Sequence, residues 1–226
     1  DQIISAAEAH GVAVGVSHNQ LFYKPHMQIR EMLDDGLLGD LRTIRARLAI
    51  GGRYGSWRSD PAQVGGGLLM DAGIHRVYLL CMLGGGVSSV LAFMDSPKHE
   101  TSYTLIMEFA SGAIGTIDAT YCGPEGLFDD RVEVVGTDAL VEAIGCEALF
   151  EGFASGPDLR VWKNGAWKYY ETSDTWDASV TRSVSSFFDA VAREEQPPVD
   201  GNLGRQVLQI IEAAYISATE GRRVLL

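Results

Sequence analysis

The chain has 226 residues, of which 46% are hydrophobic, and a formal net charge of −12 at pH 7. Its apolar side chains suffice for one large core or two small ones. A chain this acidic repels phosphate backbones and anionic lipid surfaces, so we expect neither nucleic acid nor a membrane as a partner. The apolar runs also look too short to cross a bilayer.

The chain has three cysteines, Cys81, Cys122 and Cys146, which are far apart and form no Cys-x-x-Cys pair. This spacing argues against a disulfide framework and against a zinc cluster. It is typical of a reducing compartment, so we expect a cytoplasmic protein.

The chain begins with an amphipathic pattern over residues 1–10, which Gly11 ends, and continues into an apolar run at 12–16. These patterns predict a helix and a short buried strand, the last unit of a doubly wound domain. Because the first residue is Asp1 and the helical pattern has no run-in, we expect further sequence upstream. Residues 26–35 are predicted to form a helix, and residues 41–50 a strand with one polar face.

Residues 68–83 are long, apolar and rich in Leu and Met, which favours a helix that ends at Gly84–Gly86. Short β-rich runs with turn signals then follow, which indicates a mainly antiparallel sheet. The runs are Val87–Met94, Tyr103–Phe109, Ala113–Tyr121, Val132–Val135, Leu140–Ile144, Leu159–Trp162 and Trp167–Tyr170. Asn164-Gly165 is a strong hairpin signal. Helical patterns return at 177–194 and 203–220, so the predicted fold class is α/β (α+β).

Asp71 and His75 stand four residues apart at the start of the predicted apolar helix, and therefore on one face of it. One interpretation is a general acid/base histidine beside a carboxylate that binds a substrate hydroxyl or orients the ring. The alternative is an acidic residue favoured by the helix N-terminus and a satisfied core histidine. A shared metal ion is the weakest interpretation, since no third ligand lies nearby in sequence, and we expect no metal.

Other polar groups lie on predicted loops. The glycine triplet Gly65–Gly67 could admit an anion to the helix N-terminus, or simply permit close approach of a ligand or backbone. The chain contains neither a dinucleotide fingerprint nor a phosphate-binding loop. The candidate substrate-binding residues follow the first predicted strand or form a basic aromatic loop: His18, Asn19, Phe22, Arg53, Trp57 and Arg58. The alternative is that the first group belongs to a polar connecting loop and the second to a surface loop anchored by Trp57.

Several segments, in this order, resemble the C-terminal region of the Gfo/Idh/MocA oxidoreductases. The segments are His18–Phe22, Leu37–Leu41, Trp57-Arg58, Gly65–His75, Phe109–Gly115, Val132–Thr137 and Ile211–Arg222. The resemblance covers nearly the whole chain. It implies a large, mainly antiparallel sheet with helices on one face, over residues 19–226, preceded by a remnant of a Rossmann-type domain at residues 1–18.

The resemblance further implies an NAD(P)-dependent dehydrogenase of a sugar, polyol or cyclic alcohol. NAD or NADP would be bound mainly upstream of this chain, and the open sheet face would build a homodimer or homotetramer. His75 would move the proton of the substrate oxygen, and Asp71 would bind substrate and tune His75. The family's Glu-Lys-Pro motif is absent, since Lys24-Pro25 lies in another context. We therefore expect the chain alone to be inactive.

Two features depart from the family pattern. Tyr78 stands where many members have Asp, and Arg76 directly follows His75. The departures leave the substrate open. Two rival functions also stay open, a non-catalytic sensor or scaffold of the same fold and an oligomerisation module.

Overall fold

The computed structural model describes residues 1–52, 57, 60–145, 157–172 and 174–226. The strands are β1 (Leu41–Ile50), β2 (Val87–Met94), β3 (Ser102–Phe109), β4 (Ile114–Thr120), β5 (Phe128–Gly136), β6 (Leu140–Ile144), β7 (Leu159–Lys163), β8 (Ala166–Tyr170) and β9 (Val224–Leu225). They form a nine-stranded sheet in the order β8-β7-β6-β5-β1-β4-β3-β2-β9. The strand predicted at 41–50 and the seven strands predicted after residue 86 are thereby confirmed.

The sheet is mainly antiparallel, as predicted, and its centre holds one parallel pair. β1 runs parallel to β4, with Ala46 opposite Ile117, and antiparallel to β5. β1 alternates as its sequence predicts: Ile44 and Leu48 are buried, whereas Arg45 points to the other side and is exposed. Because β1 and β4 run the same way, their carboxyl ends lie at the same edge of the sheet.

The helices are α1 (Gln2–His10), α2 (Lys24–Asp34), α3 (Pro61–Val64), α4 (Ile74–Gly84), α5 (Trp176–Ala192) and α6 (Gly201–Glu220), together with a 3₁₀ turn at Asn19–Phe22 and a π-helix at Leu69–Gly73. α4 packs on β1 and β4, and α6 packs on β2. Leu80 of α4 lies against Gly115 of β4, where an added Cβ would stand 2.9 Å from the leucine. Helices and sheet thus share one apolar core.

The opposite face of the sheet carries charged side chains in cross-strand pairs. Arg45 Nη1 lies 2.7 Å from Glu133 Oε1, and Arg47 Nε lies 2.6 Å from Asp129 Oδ2. Such exposed ion pairs contribute little stability each. The polar face predicted for residues 41–50 is therefore the face that the helices leave open.

The predicted buried strand at 12–16 is wrong. Gly15 makes an isolated bridge with Asp200, and Val12 is 60% exposed. The segment lies beside the turn before α6, where Val16 N donates to Val199 O at 2.9 Å. An apolar run becomes a strand where a partner strand is available, and here it meets a turn instead. The expectation that 1–18 forms a separate domain remnant stays a prediction.

The apolar stretch Ala62–Gly84 is long and apolar enough to cross a membrane by length and composition alone. The judgement that the apolar runs are too short was therefore wrong. Burial gives a different reason to expect no membrane span: 61% of that window lies inside the protein. The stretch behaves as a core helix, because its apolar side chains pack on the sheet.

Candidate active site

The candidate site lies at the edge where β1 and β4 end. Gly51, just after β1, bridges to Cys122, and Tyr121 directly follows β4. The Tyr121 hydroxyl donates a hydrogen bond of 2.7 Å to Asp71 Oδ2. This contact ties the edge of the parallel pair to the start of the long apolar helix.

That helix is not uniform, although the sequence predicts a single helix over 68–83. Residues Leu69–Gly73 form a π-helix, and α4 starts at Ile74. Asp71 lies in the π segment and His75 is the second residue of α4, and both are half-buried. Short π segments within helices are frequent at functional sites. The structure therefore places the two predicted catalytic residues on adjacent turns, partly open to solvent.

His75 contacts a second histidine from a distant part of the chain. His75 Nδ1 lies 3.2 Å from His18 Nδ1, and the two ring centroids are 4.5 Å apart in an edge-on arrangement. The His18 ring also lies against Tyr78, with centroids 3.7 Å apart. His18 is only 4% exposed. The site thus contains a buried histidine that touches the half-buried one.

Burial is the larger cause that lowers the pKa of His18 to about 4, and the positive charge of Arg76 is the smaller one. Removal of an imidazolium from water disfavours its charged form, and a neighbouring cation does so again. His18 is therefore neutral near pH 7. Burial likewise raises the pKa of Tyr78 to about 12, so the ring that covers His18 is an uncharged phenol.

The shifted pKa of His18 predicts that acid destabilises the protein. In the unfolded chain His18 binds a proton below its ordinary pKa of 6.5, whereas the folded protein resists protonation down to about 4. The free energy of unfolding should therefore fall as the pH drops from 6.5 to 4, by roughly 3 kcal/mol from this residue. Chemical denaturation of the wild type and of His18→Phe across this range measures it.

The His18→Phe comparison isolates this residue. His26 is buried and also has a lowered pKa, so it adds acid sensitivity of the same sign to both proteins. As the pH falls from 7 to 4, the free energy of unfolding of the wild type should therefore decrease by more than that of His18→Phe. Parallel curves from pH 7 to pH 4 would show that His18 titrates normally.

Glycines allow the helix start to sit against large buried side chains. A Cβ at Gly66 would lie 2.3 Å from the Tyr215 hydroxyl, and one at Gly67 would lie 2.5 Å from Glu100 Oε2. Glu100 Oε1 accepts from the backbone N–H of Leu69 at 2.8 Å. The glycine triplet therefore permits the close approach of the protein's own side chains. A buried carboxyl, rather than an anion site, meets this helix start.

Gly73 makes the third close approach, directly between Asp71 and His75. An alanine Cβ there would lie 2.1 Å from the buried Tyr103 hydroxyl. Overpacking of this kind typically costs about 1–3 kcal/mol, so Gly73→Ala should lower the melting temperature. The Tyr103 hydroxyl has no hydrogen-bond partner among the described residues. Tyr103→Phe alone should therefore be nearly neutral and should rescue part of the loss in the double variant.

Gly86→Ala is the matched control for that measurement, because a Cβ there meets nothing within 4 Å. Its melting temperature should match the wild type. If Gly73→Ala is as stable as Gly86→Ala, or if Tyr103→Phe gives no rescue, the clash does not constrain the helix.

The other predicted substrate-binding residues do not all gather at His75. Asn19 is buried and its Nδ2 donates to Ser179 Oγ at 3.0 Å, which fastens the loop to α5. Phe22 is half-buried and lines an apolar cavity with Phe187 and Pro198. Trp57 is 52% exposed. Arg53 and Arg58 lie outside the described residues.

Sequence reasoning did not assign roles to Tyr121 and Tyr78 or find the partner of Arg76. Arg76 is buried, ion-paired with Asp130, and its Nη1 donates to Gln20 Oε1 at 3.0 Å. Helical spacing places Tyr78 one turn from His75, so that neighbour was detectable. Tyr121 and Asp130 come from strands far along the chain, and nothing local signals them.

The described residues offer little for a metal or a dinucleotide. Within them no cluster of three or more His, Cys, Asp or Glu side chains could hold a metal ion. At the glycine triplet, Tyr215 and Glu100 occupy the space beside Gly66 and Gly67 where a phosphate would bind. The polar groups that the site brings together are the touching imidazoles of His75 and His18, with the Asp71 carboxylate on the preceding turn.

Comparison with known proteins identifies the fold and family. A model of the GFO/IDH/MocA C-terminal domain matches residues 26–142. Trans-1,2-dihydrobenzene-1,2-diol dehydrogenase of Bos taurus is 26% identical over 147 residues, which are 63% of this chain and 43% of that protein. The chain thus corresponds to less than half of that relative's length.

Two solved structures superpose on the whole chain. GenD2 from gentamicin A biosynthesis, in complex with NAD, has a TM-score of 0.80 and 26% identity, and the match covers 100% of this chain and 67% of GenD2. Aldose-aldose oxidoreductase from Caulobacter crescentus, complexed with glycerol, has a TM-score of 0.83 and 24% identity, covering 99% and 67%. These likenesses show the fold. The domain match, which spans more than half of the chain, shows that the chain belongs to the Gfo/Idh/MocA family of oxidoreductases.

Proposed function

We propose that the protein containing this chain is an NAD(P)-dependent dehydrogenase that acts on a sugar, polyol or cyclic alcohol. The observation that carries the proposal is the half-buried His75, in contact with the buried neutral His18 and one turn beyond Asp71. The unperturbed pKa of a histidine side chain lies near neutrality, which suits this residue type to proton transfer to and from a hydroxyl.

The residues of this chain fit the substrate half of that reaction. His75 would accept the hydroxyl proton of the alcohol during oxidation and return it during reduction. Asp71, held by the Tyr121 hydroxyl, would accept a hydrogen bond from a substrate hydroxyl and fix its direction. The nicotinamide cofactor would supply the hydride chemistry. The described residues show no cradle for its pyrophosphate, so we expect other parts of the protein to hold it.

The names of the relatives support a substrate that carries several hydroxyl groups. The bovine relative is named for a diol and the Caulobacter crescentus enzyme for aldoses. Sugars and diols both present adjacent hydroxyls, which suits a site with a carboxylate acceptor beside a proton acceptor.

The test is an assay of the intact protein against a panel of aldoses, cyclic polyols and vicinal diols. Each substrate is tested with NAD and with NADP by absorbance of the reduced cofactor. We expect turnover of at least one panel member, and no turnover by residues 1–226 alone. If the intact protein binds cofactor or sugar without turnover, a sensor or scaffold is the better description.

We also infer that the protein self-associates through the helix-free face of the sheet, and that it is located in the cytoplasm. The support for self-association is that this face exposes aromatic side chains, with Phe93 61% and Tyr169 57% exposed, and aromatic residues are enriched at interfaces. Cys81 and Cys122 are free thiols, which suits a reducing compartment. Sedimentation of the protein checks the first inference, and a strictly monomeric species would contradict it.

A further inference from the structure

The contact between His75 and His18 constrains which nitrogen of each ring carries the proton. The two facing atoms are both Nδ1, 3.2 Å apart. A neutral imidazole has one N–H nitrogen and one lone-pair nitrogen. A hydrogen bond between the two Nδ1 atoms therefore needs one ring to donate and the other to accept, and the choice fixes both tautomers.

We propose that His18 is a positioning residue whose Nδ1 accepts the Nδ1 proton of His75, so that His75 Nε2 is the nitrogen that exchanges a proton with substrate. This assignment rests on the proposed function for its effect on rate. The tautomer of His75 can be measured without any activity, so a failure of this assignment is distinguishable from a failure of the proposed function.

The direction of the hydrogen bond follows from what His75 must do. If His18 donated, His75 would hold its own proton on Nε2 and use its Nδ1 lone pair to accept from His18. Neither nitrogen could then take a proton from substrate. If His75 donates, Nε2 carries a lone pair in place of a proton, and protonation there leaves the bond to His18 unchanged. Only the second arrangement lets His75 cycle between its two charge states.

His18 is well suited to remain an acceptor. Its ring stacks on Tyr78, and it is 4% exposed. The two residues that follow it are also fixed, because Asn19 bonds Ser179 and Gln20 accepts from Arg76. The backbone at His18 is therefore anchored on its C-terminal side, and the ring itself is held between Tyr78 and His75.

The groups that face His18 keep it neutral. They are the His75 imidazole, the Tyr78 phenol with its raised pKa, and the Arg76 guanidinium, whose charge adds to burial in lowering the pKa of His18. A second proton on this ring is disfavoured, so the shared proton stays on His75. His18 thus does for His75 what a carboxylate does in other dyads, without adding negative charge.

The direct test is nitrogen-15 NMR of the histidine side chains in the intact protein near pH 7.5, with His75→Gln to assign the signals. We expect His75 to hold its proton on Nδ1, and His18→Phe to abolish that preference. Phenylalanine keeps a ring against Tyr78 but offers no acceptor. A wild-type His75 protonated on Nε2 would overturn the proposal, whether or not the protein proves to be a dehydrogenase.

The kinetic test uses two substitutions in the intact enzyme. His18→Phe should lower kcat by roughly 10- to 100-fold, below the full effect of a general base, with KM nearly unchanged. His18→Asn places its amide oxygen close to the position of Nδ1 and should recover much of kcat. Melting curves show that both variants fold. Equal losses in Phe and Asn variants, or no loss in either, would mean that His18 acts only in packing.

Discussion

Replacement of His75 by alanine is expected to lower kcat/KM of the intact protein by at least about 100-fold, the usual size of an acid/base contribution. The reason is geometric: His75 is the half-buried member of a histidine pair whose other member, His18, is 4% exposed and has a pKa of about 4. His18 cannot substitute for it, because it is covered and holds protons weakly. Initial rates over the substrate panel measure the loss.

A stability measurement separates chemistry from folding in that variant. Because His75 is half-buried and not in the apolar core, its loss should change the melting temperature by only a few degrees. His99→Ala is the matched control, since His99 is an exposed histidine on a turn, and its rate should equal the wild type. A His75→Ala protein with wild-type rate would remove His75 from the mechanism.

Much of the fold was predictable because its sheet is built from local patterns. The period-two runs gave β2 and β6 with their observed bounds, Val87–Met94 and Leu140–Ile144. The Asn164-Gly165 hairpin is confirmed as well, with both residues at positive φ, 53° and 79°, as a tight reverse turn between twisted strands requires. These features depend on residues close in sequence, so the sequence reports them.

Features set by distant contacts were not predictable. The parallel pairing of β1 with β4 joins residues far apart in the sequence, such as Ala46 and Ile117, and periodicity does not encode it. The π segment at Leu69–Gly73 is a local departure from regular helix beneath the ordinary apolar pattern. The strand predicted at 12–16 is wrong because a strand needs a hydrogen-bonded partner strand, and the propensity of the run does not supply one.

In the candidate site too, local spacing was predictable and contacts between distant residues were not. Asp71 and His75 were found by their spacing on one helix, and the family of the chain is confirmed by its domain match. The contact of His75 with His18 joins residues 57 positions apart, and Tyr121 reaches Asp71 from the end of a strand. Their roles in catalysis stay predictions until the substitutions above are measured.

The largest effect on stability is expected from Asp130→Ala. Asp130 on β5 pairs with Arg76 on α4, and their side chains are only 4% and 3% exposed. Loss of one partner of a buried pair typically costs about 3–5 kcal/mol, because the other charge remains without compensation. A guanidinium cannot shed its proton to escape this cost. Asp130→Ala should therefore destabilise the protein more than Arg76→Met does, because in Arg76→Met the unpaired Asp130 carboxyl can take up a proton and become neutral.

A double replacement tests the explanation. Arg76→Met with Asp130→Leu removes both charges and keeps the approximate shapes, so most of the stability should return. Glu133→Ala, which breaks the exposed pair with Arg45, is the control and should cost at most about 1 kcal/mol. A double variant no more stable than Asp130→Ala would contradict the buried-charge argument. Arg76 also lowers the pKa of His18, so in Arg76→Met that pKa should rise towards 6.5. The free energy of unfolding should then depend on pH over a narrower range. One guanidinium therefore affects both the stability of the fold and the protonation of His18.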